Sequence, residues 1–231
     1  MDVEAEPVSA TVIAPTRTPP PTWTPTSSPP QQPTPTPQPT TSPMYYQGSS
    51  EDYIPSLQEM PDGFDQDYTA SGPLSIPDTD TYVQAYYRFQ TPGNKLEGAA
   101  FVGFWVMVCK DEKVAKSQFN SIPTLFDTMT RQNTPLSEFD EYMVLAEIQT
   151  TDLMANNPPG LGNPADNLGL DSTSESVTYA IAVKEKNVVI IVTASAMVGD
   201  NLGFETGLVA EDVLQEAVYY TSMVMKKLNS K

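Results

Sequence analysis

The sequence predicts an α+β domain, an antiparallel sheet with helices packed on it, preceded by a disordered Pro/Thr-rich spacer. Three observations carry that prediction. The prolines crowd into residues 15–43, where Pro, Thr and Ser leave almost nothing apolar to bury, so ordering that stretch has no offsetting gain. Two later segments alternate apolar and polar residues about a short polar turn. A C-terminal segment places its apolar residues at helical spacing. The chain therefore divides into residues 1–50, an acidic start with a spacer of polyproline character, and residues 51–231, one α+β domain. At ~3.1 Å per residue the spacer could reach on the order of 90 Å.

Residues 51–78 are rich in Pro, Gly and Asp and read as an irregular lead-in with apolar anchors at Tyr53, Ile54, Leu57, Met60 and Phe64. Thr81–Gln90 alternates, Val83, Ala85, Tyr87 and Phe89 against Gln84, Tyr86 and Arg88, which predicts a half-buried strand. The turn chemistry of TPGNKLEG joins it to the continuous apolar run Ala99–Cys109, a central strand. Asp111 can cap a helix from Glu112 to about Ser121, with Val114, Ala115, Gln118, Phe119 and Ile122 as its stripe and Pro123 ending or kinking it. A shorter helix through Leu125, Phe126 and Met129 follows. DEYMVLAEIQ, residues 140–149, fits either a helix or a strand, of which the strand carrying Tyr142, Val144 and Ala146 is favoured, and a long loop succeeds it. Val177, Tyr179, Ile181 and Val183 then alternate with Ser176, Thr178, Ala180 and Ala182, and the turn KEKN leads into NVVIIVTASAM. Val209–Leu228 sets Val213, Leu214, Ala217, Tyr220, Thr221, Val224 and Leu228 on one helical face, with basic residues at its C-terminal end.

Composition excludes several functions. The formal net charge is −17 with 12 basic residues and no basic stripe, so there is no electrostatic footprint for nucleic acid or anionic lipid. The single cysteine, Cys109, precludes an internal disulfide and reads as a small buried hydrophobe. No histidine is present, which removes Ser-His-Asp and Cys-His catalysis and leaves metal binding to carboxylates. There is no P-loop, GxSxG or Ser-x-x-Lys arrangement. Gly160-Leu-Gly162-Asn-Pro-Ala165 fits a loose dinucleotide fingerprint only formally, because Pro164 lies inside it and a strand follows. It reads as a loop.

The acids offer more. Asp62, Asp65 and Asp67, and Asp78 with Asp80, are spaced closely enough to share a cation, but neither set has the EF-hand pattern. The signature DNLG appears twice, in DNLGLDS at 166–172 and DNLGFET at 200–206. A hairpin turning at Glu185–Lys186 would set residue i against residue 371 − i, placing Asp171 opposite Asp200 and Asp166 opposite Glu205. Like charges so paired ask for a cation, a splay or solvent. Asx bonding followed by a left-handed Gly explains each copy equally as a turn. The metal alternative is calcium held by Asp166, Asp171, Asp200 and Glu205; no other cofactor is expected.

Several stretches resemble a broad set of bacterial extracytoplasmic domains on lipoproteins and kinase sensor ectodomains, some similar to the PsbP-like α/β/α sandwich. These are PSLQEMPDGF (55–64), PGLGNPADN (159–167), KEKNVVIIVTASA (184–196) and the C-terminal helix ending in MVMKKL. The Thr/Pro stalk is similar to those of Chloroflexi-type surface proteins. The resemblance implies fold and compartment, and its motifs carry no catalytic residue.

The expected function is a non-enzymatic binding or accessory domain, held off the cell envelope by the spacer and engaging a protein or glycan partner at the surface. The expected location is extracytoplasmic, with the anchor in a segment removed from the precursor; a cytoplasmic chain with a Pro-rich tail is the competing reading. Two other functions fit: a structural subunit of a surface assembly or filament, and a carboxylate-dependent hydrolase. The hydrolase would use paired acids ~5–9.5 Å apart, from Asp171, Asp200 and Glu205. Trp105 and Tyr86 are its aromatic candidates for a sugar site, although core packing explains them more simply.

Overall fold

Strands with apolar residues on both faces need a cover on each side, and the computed structural model supplies one. It describes residues 45–88, 98–152, 173–198, 200–201, 204–205 and 208–230. Nine strands and two helices lie among them: β1 (Asp65–Leu74), β2 (Thr79–Tyr87), β3 (Phe101–Cys109), α1 (Glu112–Leu125), β4 (Thr130–Gln132), β5 (Tyr142–Asp152), β6 (Thr173–Glu185), β7 (Val188–Val198), β8 (Asp200–Asn201), β9 (Phe204–Glu205) and α2 (Ala210–Asn229). Short 3-10 turns at Ser50–Tyr53 and Leu57–Glu59 precede β1.

Seven strands form one antiparallel sheet in the order β1-β2-β3-β7-β6-β5-β4. The chain builds β1 to β3 as a meander and crosses through α1 to the far edge. It then returns through β4 to β7, so that β7 closes against β3. This confirms the α+β class and the two hairpins, and adds four strands that sequence patterning did not reveal, β1 and β4 in this sheet and β8 and β9 outside it.

The core has two layers of apolar side chains. Phe104, Val106, Ile181, Val183, Ile190 and Val192 point to one side with Val213, Ala217, Tyr220 and Val224 of α2. Met107, Met143, Leu145, Ala182 and Ile191 point to the other, with Ala115, Phe119 and Ile122 of α1. The expected α2 stripe is buried at all seven positions. Each fully buried Val or Leu there stabilises by about 1.5–3 kcal/mol relative to exposure. β2 is buried on both faces rather than one, because Ala85 faces the α1 side while Gln84 and Tyr86 face α2.

The helix ends follow local rules. The Asp111 carboxylate accepts from Val114 N at 2.8 Å, capping α1 as expected. α1 continues through Pro123 to Leu125, so the short second helix does not form. The ring removes only the bond to the carbonyl four residues back, and Phe126 N still donates to Ile122 O at 3.1 Å. Burial pushes the Cys109 thiol up to about 11, helped by the nearby Asp111 charge, which makes it the inert hydrophobe expected.

Packing begins ahead of Glu51. Tyr46 N donates to Asn187 Oδ1 at 2.9 Å, and Asn187 Nδ2 donates to Tyr46 O and to Cys109 O. The Lys186 ammonium sits 4.9 Å from the Tyr46 ring centroid. The chain thus enters the sheet at the β6–β7 turn. The strand ends Tyr87, Phe101, Asp152, Thr173 and Val198 lie at the opposite end, as the register requires.

Candidate functional site

The paired-acid site depended on the hairpin register, and the register differs. Glu185 pairs with Val188 and Val177 with Ala196, so partners add to 373 rather than 371. The turn is Lys186–Asn187, with Lys186 absorbing a left-handed φ of +51°. Asp171 is therefore not set opposite Asp200 by this hairpin, nor Asp166 opposite Glu205. Asp166 and Asp171 lie outside the described residues, as does the 160–165 loop. Asp200 instead pairs with Glu205 across the two-residue ladder of β8 and β9. Among the described residues no three Asp, Glu or Cys side chains are grouped to hold a metal ion.

Three of the other candidate acids have partners within the fold. Asp80 Oδ2 accepts from Ser50 N at 2.6 Å. Asp78 takes a φ of +60° and lies 4.0 Å from the Lys110 ammonium. Asp67 does more, and it leads to the most elaborately built polar feature described in the chain.

β1 is interrupted by a wide bulge. From Asp67 to Gly72 it takes five steps where β2, from Ala85 to Val83, takes two. The extra residues would leave Ala85 N without a ladder acceptor, and the bulge supplies one: Ser71 Oγ accepts from Ala85 N at 3.1 Å and from Gln84 Nε2 at 2.8 Å, and donates to Asp67 O. The Asp67 carboxylate accepts from Thr69 Oγ1 at 2.6 Å, Thr69 N at 2.9 Å and Ala70 N at 3.3 Å. These bonds, that from the Thr69 hydroxyl foremost, hold its carboxyl below the usual range. Gly72, at φ +144°, lets the strand rejoin its register. Bulges of this kind re-aim side chains at sheet edges. Here the result is Tyr68, 77% exposed.

Between this bulge and the N-terminal turns runs a groove of about 370 Å³. Its floor is Tyr82, Gln84 and Tyr86 of β2, one wall is residues 54–58, and the other is Gln66 and Tyr68. Gln84 is only 5% exposed, yet both ends of its amide are satisfied, since Oε1 accepts from Gln66 Nε2 at 3.1 Å. It fixes Gln66 from below. The Tyr82 hydroxyl is raised above its ordinary pKa, first by burial and then by the charge and hydrogen bond of Glu51. The Tyr86 hydroxyl donates to Pro55 O and is pushed up to about 12, chiefly by burial. Both hydroxyls are thus protonated, neutral donors at physiological pH.

Across the bulge a second, more apolar hollow of about 380 Å³ is lined by Leu74, Val83 and Trp105. Trp105 packs against Phe126 of the α1 terminus, with centroids 5.9 Å apart. Of the two aromatic candidates, Tyr86 is a core residue that contributes its surface to the groove, and Trp105 belongs to the other hollow. Sequence reading missed the groove because Gln66, Tyr68, Tyr82 and Gln84 come from strands whose pairing is visible only in the fold. The one signal present was a glutamine between two tyrosines on a strand, an expensive residue for an inward position.

At the far end of the sheet Glu216 of α2 accepts from Ala99 N at 2.7 Å and lies 3.7 Å from Arg88. Burial raises its pKa despite both partners. Arg88 also donates to Ala99 O at 2.7 Å and stacks 4.8 Å from the Phe64 ring centroid, so the cluster staples the ends of β2 and β3 to α2. Comparison of the chain with protein-family models, with curated proteins and with solved structures gives no match.

Proposed function

We propose that this chain is a non-enzymatic, extracytoplasmic binding or accessory domain of PsbP-like α/β/α type, tethered to the cell envelope through its Pro/Thr-rich spacer and engaging a protein or glycan partner. The observation that carries the reading is the hydrogen-bonded bulge with its groove. Packing does not require a buried, fully satisfied glutamine or a three-residue excursion of an edge strand, and both fix polar groups at an open surface.

Expression in native cells, with intact cells exposed to protease, tests this. The domain should be cleaved from outside and fractionate with the envelope, and deletion of 15–43 should reduce partner capture without lowering its melting temperature. An untethered, protease-protected cytosolic protein would refute the proposal. The assembly reading keeps one observation in its favour. β4 covers β5 only at Val144–Ala146, and Ile148, on the stretch of β5 that β4 leaves unpaired, is 60% exposed. Concentration-dependent mass in solution would bring that reading forward.

A further inference from the structure

We propose that the groove between the β1 bulge and the N-terminal turns binds a neutral saccharide, stacked on Tyr68 or Tyr82 and hydrogen-bonded by the amides of Gln66 and Gln58. The inference rests on the binding-domain reading and names its ligand class.

The lining decides the chemistry. Among the described residues Glu51 is the only charged one lining the groove, and the Lys227 ammonium behind its wall is already engaged by Ile54 O and Glu59, so a phosphate or carboxylate ligand would be left unpaired. An apolar ligand would cover the amides of Gln58 and Gln66 and the Tyr68 hydroxyl without bonding them, and the more apolar hollow beside Trp105 would suit it better. What matches is an uncharged molecule with paired donors and acceptors and an apolar face. A carboxamide presents a donor and an acceptor side by side, which suits neighbouring sugar hydroxyls that can each do either. Tyrosine offers a ring face for the C–H side of a sugar ring and a hydroxyl for its rim. The volume, about 370 Å³, lies in the range of small-molecule sites, ~300–1,000 Å³.

The groove is also prearranged. Gln84 is held by Ser71 and by the adjacent carbonyl Ala85 O, and it holds Gln66 by one Nε2 hydrogen, so the Gln66 carbonyl oxygen, without a bond of its own among the described residues, is available to a ligand. Ser71 is in turn fixed by the Asp67-capped bulge. Ligand binding then costs little ordering on the protein side.

The test is calorimetric titration of the full chain with neutral oligosaccharides of glucose, mannose and N-acetylglucosamine, alongside an anionic polygalacturonate. The expected result is saturable binding of at least one neutral oligosaccharide. Tyr68→Ala should weaken it about tenfold or more at unchanged melting temperature, since that side chain is exposed. Gln66→Leu should act in the same direction. Binding that is unaltered in both variants, binding of the anionic polymer alone, or no binding at all would overturn the saccharide assignment. A polypeptide cross-linked at the groove in the last case would sink the saccharide and leave the binding domain standing. No ligand of either kind would sink both.

Discussion

Phe104→Ala is expected to remove about 3–5 kcal/mol of folding free energy, the usual range for deleting a buried aromatic. Phe104 is fully buried at the centre of the sheet. Its ring meets Tyr86 edge-on at 5.9 Å and Tyr220 of α2 at 6.0 Å, and Tyr220 meets Phe64 at 6.4 Å. These four rings join β2, β3, α2 and the segment before β1, and edge-on pairs add about 0.5–1.5 kcal/mol beyond their area. Alanine leaves a void beside the Tyr86 and Tyr220 rings. Urea unfolding followed by far-UV circular dichroism measures the loss, and a cost below about 1 kcal/mol would mean the rings do not pack as described.

The second large effect separates two variants of one ion cluster. Lys184 of β6 is buried, with Glu141 Oε2 at 2.9 Å and Glu112 Oε1 at 3.4 Å, and both glutamates are substantially exposed. Burial pulls the Lys184 pKa down, but the hydrogen bonds and charges of Glu141 and Glu112 outweigh it and the net shift is upward. The sign follows: a raised lysine pKa stabilises the fold below the unfolded value of ~10.4 and that contribution is lost as pH rises through the folded pKa. Removing both acids, Glu112→Gln with Glu141→Gln, leaves a buried unpaired ammonium and is expected to cost about 3 kcal/mol at pH 7. Lys184→Met removes the buried charge itself and lets the two exposed glutamates return to water, so it should change stability by less than about 1 kcal/mol. Equal losses in the two variants would show that the charge is not what matters there.

Legibility in the sequence followed periodicity. The β6–β7 hairpin and α2 were readable because their apolar residues repeat at the spacing of their own element, and burial falls on those residues. Residues 140–149 fitted helix or strand, and pairing with β6 decides for the strand, β5, which begins at Tyr142. β1 was not readable, since PDGFDQDYTASGPLSIPD is turn chemistry throughout. It becomes a strand through pairing with β2, and its Pro73 and Gly72 are tolerated because it is an edge with a bulge. The hairpin register was misplaced by two residues because a lysine, rather than a glycine or asparagine, takes the left-handed turn position at Lys186. That error alone had brought the DNLG acids face to face. The groove was invisible for another reason: its polar groups are distant in sequence and are joined by a buried glutamine whose purpose appears only once Ser71 and Gln66 are beside it.

The central claim is that this domain meets its ligand through the bulged edge, and a photoreactive residue tests it most directly. Placed at position 68 of the full chain in native cells, it should give a covalent adduct with envelope material on illumination. The same residue at position 219, another exposed tyrosine on the outer face of α2 (Tyr219, 54% exposed), should give none. Adducts at 219 and not at 68, or the same yield at both, would contradict the account.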